Sequence, residues 1–186
     1  VLMRRQGNDE PVIFLDPNTF SDDATVSLAG IAFSETGQYA AYATSDAGSD
    51  WRTVHVIDTE TLAPLNAALQ HVKFSGLSWQ GDQGFYYSSY TPPEGSALSA
   101  RVDQHLLFFH KVGDDQSQDR LIFGAGAGEQ RRYVSGRVSE DGQFLAVEGA
   151  QTTAGNDLRV ESTAKAKDWV TVQSDLSADT RLVTTK

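Results

Sequence analysis

Ile31-Ala32-Phe33-Ser34-Glu35-Thr36-Gly37-Gln38-Tyr39-Ala40-Ala41-Tyr42 decides how this chain folds. It reads as a strand, a tight polar turn and a second strand of aromatic and small apolar residues. A short hairpin loop closes on a residue in the left-handed conformation, which glycine adopts without steric cost, so Gly37 fits that place. Ser34 is suited to cap the turn through its hydroxyl. The unit returns at Gly136-Arg137-Val138-Ser139-Glu140-Asp141-Gly142-Gln143-Phe144-Leu145-Ala146-Val147. A looser copy, Leu77-Ser78-Trp79-Gln80-Gly81-Asp82-Gln83-Gly84-Phe85-Tyr86-Tyr87, lies between them. Taking Gly37, Gly84 and Gly142 as the turn glycines, the unit recurs after 47 and then 58 residues. A hairpin-led repeat of about 40–50 residues is the signature of a β-propeller blade.

The expected fold class is therefore all-β: a partial β-propeller of about three four-stranded antiparallel blades, with incomplete blades at both ends. Residues 1–29 read as the end of a first blade and a connector. Residues 30–75, 76–130 and 131–175 read as full blades, and 176–186 as the start of the next. Within them the expected strands are Gly30–Phe33, Tyr39–Thr44, Thr53–Asp58 and a stretch around Ala67–Val72. Gly76–Trp79, Phe85–Ser88, His105–His110 and Leu121–Phe123 follow, then Gly136–Ser139, Phe144–Glu148, Asp157–Glu161 and Trp169–Gln173. Val1–Arg5 and Val12–Leu15 read as the leading outer strands, and the chain stops inside an expected strand at Arg181–Thr184. Tyr90–Val102 holds a Pro-Pro-Glu-Gly loop, and Ala164–Lys167 reads as a polar hairpin loop. No stretch shows a sustained 3.6-residue apolar pattern, so helix should be minimal.

Composition limits the functions available. The 186 residues are 39% hydrophobic and 22% charged, the balance of a globular chain, and carry a formal net charge of −10. That charge disfavours non-specific binding to nucleic acid or anionic membrane. With no cysteine, disulfides, thiolate zinc sites and cysteine nucleophiles are excluded. No apolar run approaches the roughly 18 residues of a spanning helix.

A search for chemistry is negative. Gly76-Leu77-Ser78-Trp79-Gln80 lacks the last glycine of a nucleophile elbow and sits on an inner strand. Gly124-Ala125-Gly126-Ala127-Gly128-Glu129 has neither the third fingerprint glycine nor a Walker lysine, and no helix pattern follows. His105 and His110 are five apart on a strand, point to opposite faces and cannot share a metal. Asp114, Asp115 and Asp119 do not match an EF-hand loop and read as a turn. No cofactor or metal site and no catalytic residue is expected in this chain.

Longer strings are more specific. Phe14-Leu15-Asp16-Pro17-Asn18, Ser45-Asp46-Ala47-Gly48-Ser49-Asp50-Trp51, Val72-Lys73-Phe74-Ser75 and Gly113-Asp114-Asp115-Gln116-Ser117-Gln118-Asp119 resemble the propeller domain of prolyl oligopeptidases, as do Phe85-Tyr86-Tyr87-Ser88-Ser89-Tyr90 and Ser139-Glu140-Asp141-Gly142. The resemblance covers nearly the whole chain. It implies the first half of a seven-bladed propeller that covers the α/β-hydrolase domain of a serine endopeptidase cutting short peptides after proline. The catalytic triad would lie in that other domain. The implied partners are the peptide substrate and that catalytic domain.

By the same resemblance Phe74 falls on a phenylalanine beside the residue upstream of the scissile proline; the alternative is that it is ordinary blade core. Tyr133 falls near an apolar pocket position. A substrate-binding arginine usual after the second strand of blade three has no counterpart in Gly149-Ala150-Gln151-Thr152-Thr153. The rival functional readings are a stand-alone propeller-like module binding a protein or peptide, and a glycosidase-like propeller. The last needs two carboxylates on inner strands, which here are mostly apolar or small. An open arc is expected to self-associate, and acidity without cysteine favours a bacterial cytoplasm, with periplasm as the alternative.

Overall fold

The computed structural model describes residues 1–91, 103–165 and 168–183. Most of the Tyr90–Val102 loop, part of Ala164–Lys167, and Thr184 lie outside the described residues. A leading hairpin pairs β1 (Leu2–Arg4) with β2 (Val12–Leu15). The first blade follows as β3 (Val26–Phe33), β4 (Tyr39–Asp46), β5 (Trp51–Asp58) and β6 (Leu69–Lys73). The second is β7 (Ser78–Gln80), β8 (Gly84–Tyr90), β9 (His105–Lys111) and β10 (Arg120–Phe123). The third is β11 (Tyr133–Val138), β12 (Phe144–Ala150), β13 (Asp157–Ser162) and β14 (Val170–Gln173). In each blade successive strands are antiparallel neighbours. A bridge between Val72 and Ser89 also joins the first two blades edge to edge. Helix among the described residues is confined to 3-10 turns at Pro17–Thr19 and Gln116–Gln118.

The two closest copies of the opening unit fold alike. The Ser34 hydroxyl accepts from the Tyr39 amide at 3.1 Å, and Gly37, at φ +75°, donates its amide to the Ser34 carbonyl at 2.9 Å. The Ser139 hydroxyl likewise accepts from the Phe144 amide at 3.0 Å, and Gly142, at φ +71°, donates to the Ser139 carbonyl at 2.9 Å. The middle copy departs from the expectation. Its left-handed residue is Gly81, at φ +57°, whereas Gly84 opens β8. Gly84 is required for space: a Cβ there would stand 2.1 Å from the His110 carbonyl oxygen.

Alternation along the strands builds a separate core at each seam. Phe14, Ala40 and Ile57 fill the seam between the leading hairpin and the first blade. Ala41, Ala43, Val54, Val56, Leu69 and Val72 meet Phe85 and Tyr87 between the first and second blades. Tyr86, one residue out of phase, turns the other way to join Leu107, Phe123, Val134, Leu145 and Val147. Each fully buried aromatic contributes about 1.5–3 kcal/mol, so a blade alone, with both faces bare, would lose most of its stability.

Among the described residues, one expected strand does not form at 181–183. Residues 174–183 carry no strand, although Arg181–Thr184 reads as one. This segment folds back onto the third blade, where Asn156 takes the hydrogen-bonding role of a neighbouring strand. Its Oδ1 accepts from the Thr180 amide at 2.8 Å, and its Nδ2 donates to the Thr180 carbonyl at 2.8 Å.

Candidate functional site

Lys73 ends β6, and Phe74 then adopts φ +51°. This left-handed backbone costs a residue with a Cβ about 1–2 kcal/mol. The ring is 43% exposed, so Phe74 is not buried in a blade core of the described residues. Its edge packs against Tyr90 at a centroid distance of 6.4 Å, and Tyr133, entering the third blade, lies 5.9 Å away. The Lys73 ammonium covers the Phe74 ring at 4.9 Å and the Trp51 ring at 5.1 Å, and pairs with Asp50 at 3.7 Å. Phe74 and Tyr133 wall a pocket of about 250 Å³ completed by Glu148, Ala150, Thr152 and Thr153. The three segments singled out by the resemblance, around Phe74, around Tyr133 and at 149–153, thus share one cavity.

Among the described residues no arginine lines the pocket. Arg131 approaches β12 at Gly149, which alternation places on the opposite face from Glu148 and Ala150. There its guanidinium pairs with Asp157 at 2.8 Å, with both side chains largely buried. A Cβ at Gly149 would fall 2.9 Å from Arg131 Cγ and 2.4 Å from Asp157 Oδ1, so glycine makes room for the pair. Its charge is spent inside the blade and is not offered to a ligand. The charged groups that do line the pocket are carboxylates, Glu148 and Asp179; burial raises the Glu148 pKa against the opposing pull of Arg137 and Arg181.

Behind the aromatic walls stands a residue whose part the sequence does not show. His105 is fully buried at the start of β9. Its Nδ1 accepts from the Val134 amide at 2.9 Å, so Nε2 carries the proton and donates to the Lys73 carbonyl at 2.9 Å. Tyr90 stacks on the imidazole at 4.2 Å and donates its hydroxyl to the Arg132 carbonyl at 2.5 Å. Burial lowers the His105 pKa to about 4, with the Lys73 bond opposing, and raises that of Tyr90 to about 12. All of its polar partners are backbone groups, which leave no trace in residue identity.

The remaining chemical candidates are structural. The Ser78 hydroxyl accepts from the Val138 amide at 2.9 Å across a seam. In the glycine-rich loop the Glu129 carboxylate accepts from the Gly124 and Gly126 amides at 3.1 and 2.9 Å, occupying donors a phosphate would need. Asp119 accepts from His110 Nδ1 and the Tyr87 hydroxyl, each at 2.7 Å. Among the described residues no three His, Asp or Glu side chains converge on a metal-sized site.

The strands and their seams together define an arc of a β-propeller. Residues 1–186 match the model of the prolyl oligopeptidase N-terminal β-propeller domain, and the chain belongs to this family. It is 44% identical over 186 residues to a prolyl endopeptidase of Elizabethkingia miricola and 41% identical to that of Elizabethkingia meningoseptica. Each match covers all of this chain and 26% of the relative. Among solved structures, prolyl oligopeptidase B of Galerina marginata, bound to a 35mer hydrolysis and macrocyclization substrate, superposes with a TM-score of 0.82 at 26% identity. That superposition covers 95% of this chain and 26% of the Galerina protein. The chain thus spans about a quarter of the length of these relatives.

Proposed function

We propose that this chain is the substrate-gating propeller segment of a serine endopeptidase that cleaves short peptides after proline, with no activity of its own. A hydrolase domain of the same protein would supply the nucleophile, and the propeller would exclude bulk water and folded proteins from the cavity between them. In this reading Phe74 and Tyr133 receive the side chain of the substrate residue upstream of the proline. The observation that carries it is Phe74 itself: a large apolar ring, exposed, on a strained backbone, beside a second aromatic wall and a cavity of side-chain size. Strained residues persist where surrounding structure enforces them, and they cluster at binding sites.

The test is Phe74→Ala in the full-length enzyme. Losing most of one buried aromatic contact should raise KM about five- to twenty-fold for a peptide with a residue in this pocket, with kcat little changed. A peptide too short to reach the pocket should be unaffected. Equal kinetics of the two enzymes on the longer peptide would remove the reading. The coding sequence beyond Lys186 separates it from a stand-alone peptide-binding module: a hydrolase domain with a Gly-x-Ser-x-Gly elbow supports the gating role.

A further inference from the structure

The walls of the pocket belong to different blades, yet both attach to the same imidazole. Phe74 follows Lys73, whose carbonyl accepts from His105 Nε2 at 2.9 Å. Tyr133 precedes Val134, whose amide donates to His105 Nδ1 at 2.9 Å. The His105 amide donates to the Arg131 carbonyl at 2.8 Å, and Tyr90, stacked on the ring, donates to the Arg132 carbonyl. A buried ring with two opposed hydrogen bonds has one orientation. We propose that His105 is a positioning residue for peptide recognition, setting the distance between Phe74 and Tyr133 by clamping the end of the first blade to the start of the third. It touches no substrate and acts through the two residues adjoining its partners.

The proposal rests on the pocket reading above and deepens it. It demands the tautomer with the proton on Nε2, and only a side chain offering one donor and one acceptor in opposite directions can replace it. Glutamine offers both; leucine fills the space and offers neither.

Full-length His105→Leu and His105→Gln enzymes would be assayed on two peptides, one reaching only the proline site and one extended upstream into the pocket. His105→Leu should raise KM about five-fold on the extended peptide, with less than about two-fold change in either constant on the short one. His105→Gln should recover most of the loss. If His105→Leu does not accumulate, Tyr90→Phe, which keeps the stack and loses the bond to Arg132, should give the same split at about two-fold. Equal losses on both peptides, or no rescue by glutamine, would show a merely structural role and overturn the proposal. Phe74→Ala separates the two failures. If it discriminates between the peptides and His105→Leu does not, only the clamp is wrong; if neither discriminates, the pocket reading falls too.

Discussion

His105 and His110 sit on one strand, five residues apart and both fully buried, yet they end in different surroundings. The His110 end is closed by side chains. Its Nδ1 donates to Asp119, and Asn66 Nδ2 contacts Nε2 at 3.1 Å while also donating to the Ala67 carbonyl at 2.9 Å. Tyr87 completes the carboxylate, and Gln116 reaches across to bond both the amide and the carbonyl of Gln70 on β6 at 2.9 Å. The hydrogen bonds at the His105 end go to backbone groups, and that end opens onto the exposed Phe74 ring and the half-buried Tyr133. A network of side chains bonded to one another stabilises a seam, here even with the buried Asn66 Oδ1 left without a partner. One that fixes backbone leaves the neighbouring side chains free to meet a ligand.

The largest effect is expected at the closed end. His110→Leu removes a donor from a carboxylate only 3% exposed, leaving Asp119 with half its partners. The expected loss is about 3–4 kcal/mol in denaturant unfolding of the full-length enzyme, with KM unchanged for the molecules that remain folded. A KM split like that expected of His105 variants would erase the distinction between the two ends.

Acid should act at the open end. The folded-state pKa of His105 lies at about 4, below its ordinary value of 6.5, because burial disfavours the imidazolium. The unfolded chain therefore binds more protons in this window, so stability falls as pH drops from about 6.5 through 4 and is fully present above 6.5. The shift corresponds to on the order of 3 kcal/mol. Protonation would also place a second donor against the Val134 amide. Unfolding midpoints at pH 7, 5 and 4 should converge for wild type and His105→Gln as pH falls; parallel curves would assign the acid loss to other groups.

Much of this was legible in the sequence where a local rule acts alone. Ser34 with Gly37 and Ser139 with Gly142 announce their turns because serine capping and a left-handed glycine are short-range requirements. Gly84 shows the limit: its glycine is needed for contact with the His110 carbonyl, not for the turn, and both demands select the same residue. Residues 181–183, expected in a strand, follow Thr180, which is tied to Asn156, a partner 24 residues earlier that no local rule reveals. Phe74 entered through the resemblance, while its exposure and strained backbone needed coordinates. The part played by His105 was invisible, since its partners are main-chain atoms that every residue but proline carries.

In the proposed reading, Phe74 and Tyr133 receive the residue upstream of proline. A proline-ending peptide with a photoreactive phenylalanine at that upstream position, irradiated on the full-length enzyme, tests it most directly. Mass spectrometry should place the crosslink within the segments carrying Phe74 or Tyr133, and Phe74→Ala should reduce its yield. A crosslink confined to other segments of the enzyme would contradict the account.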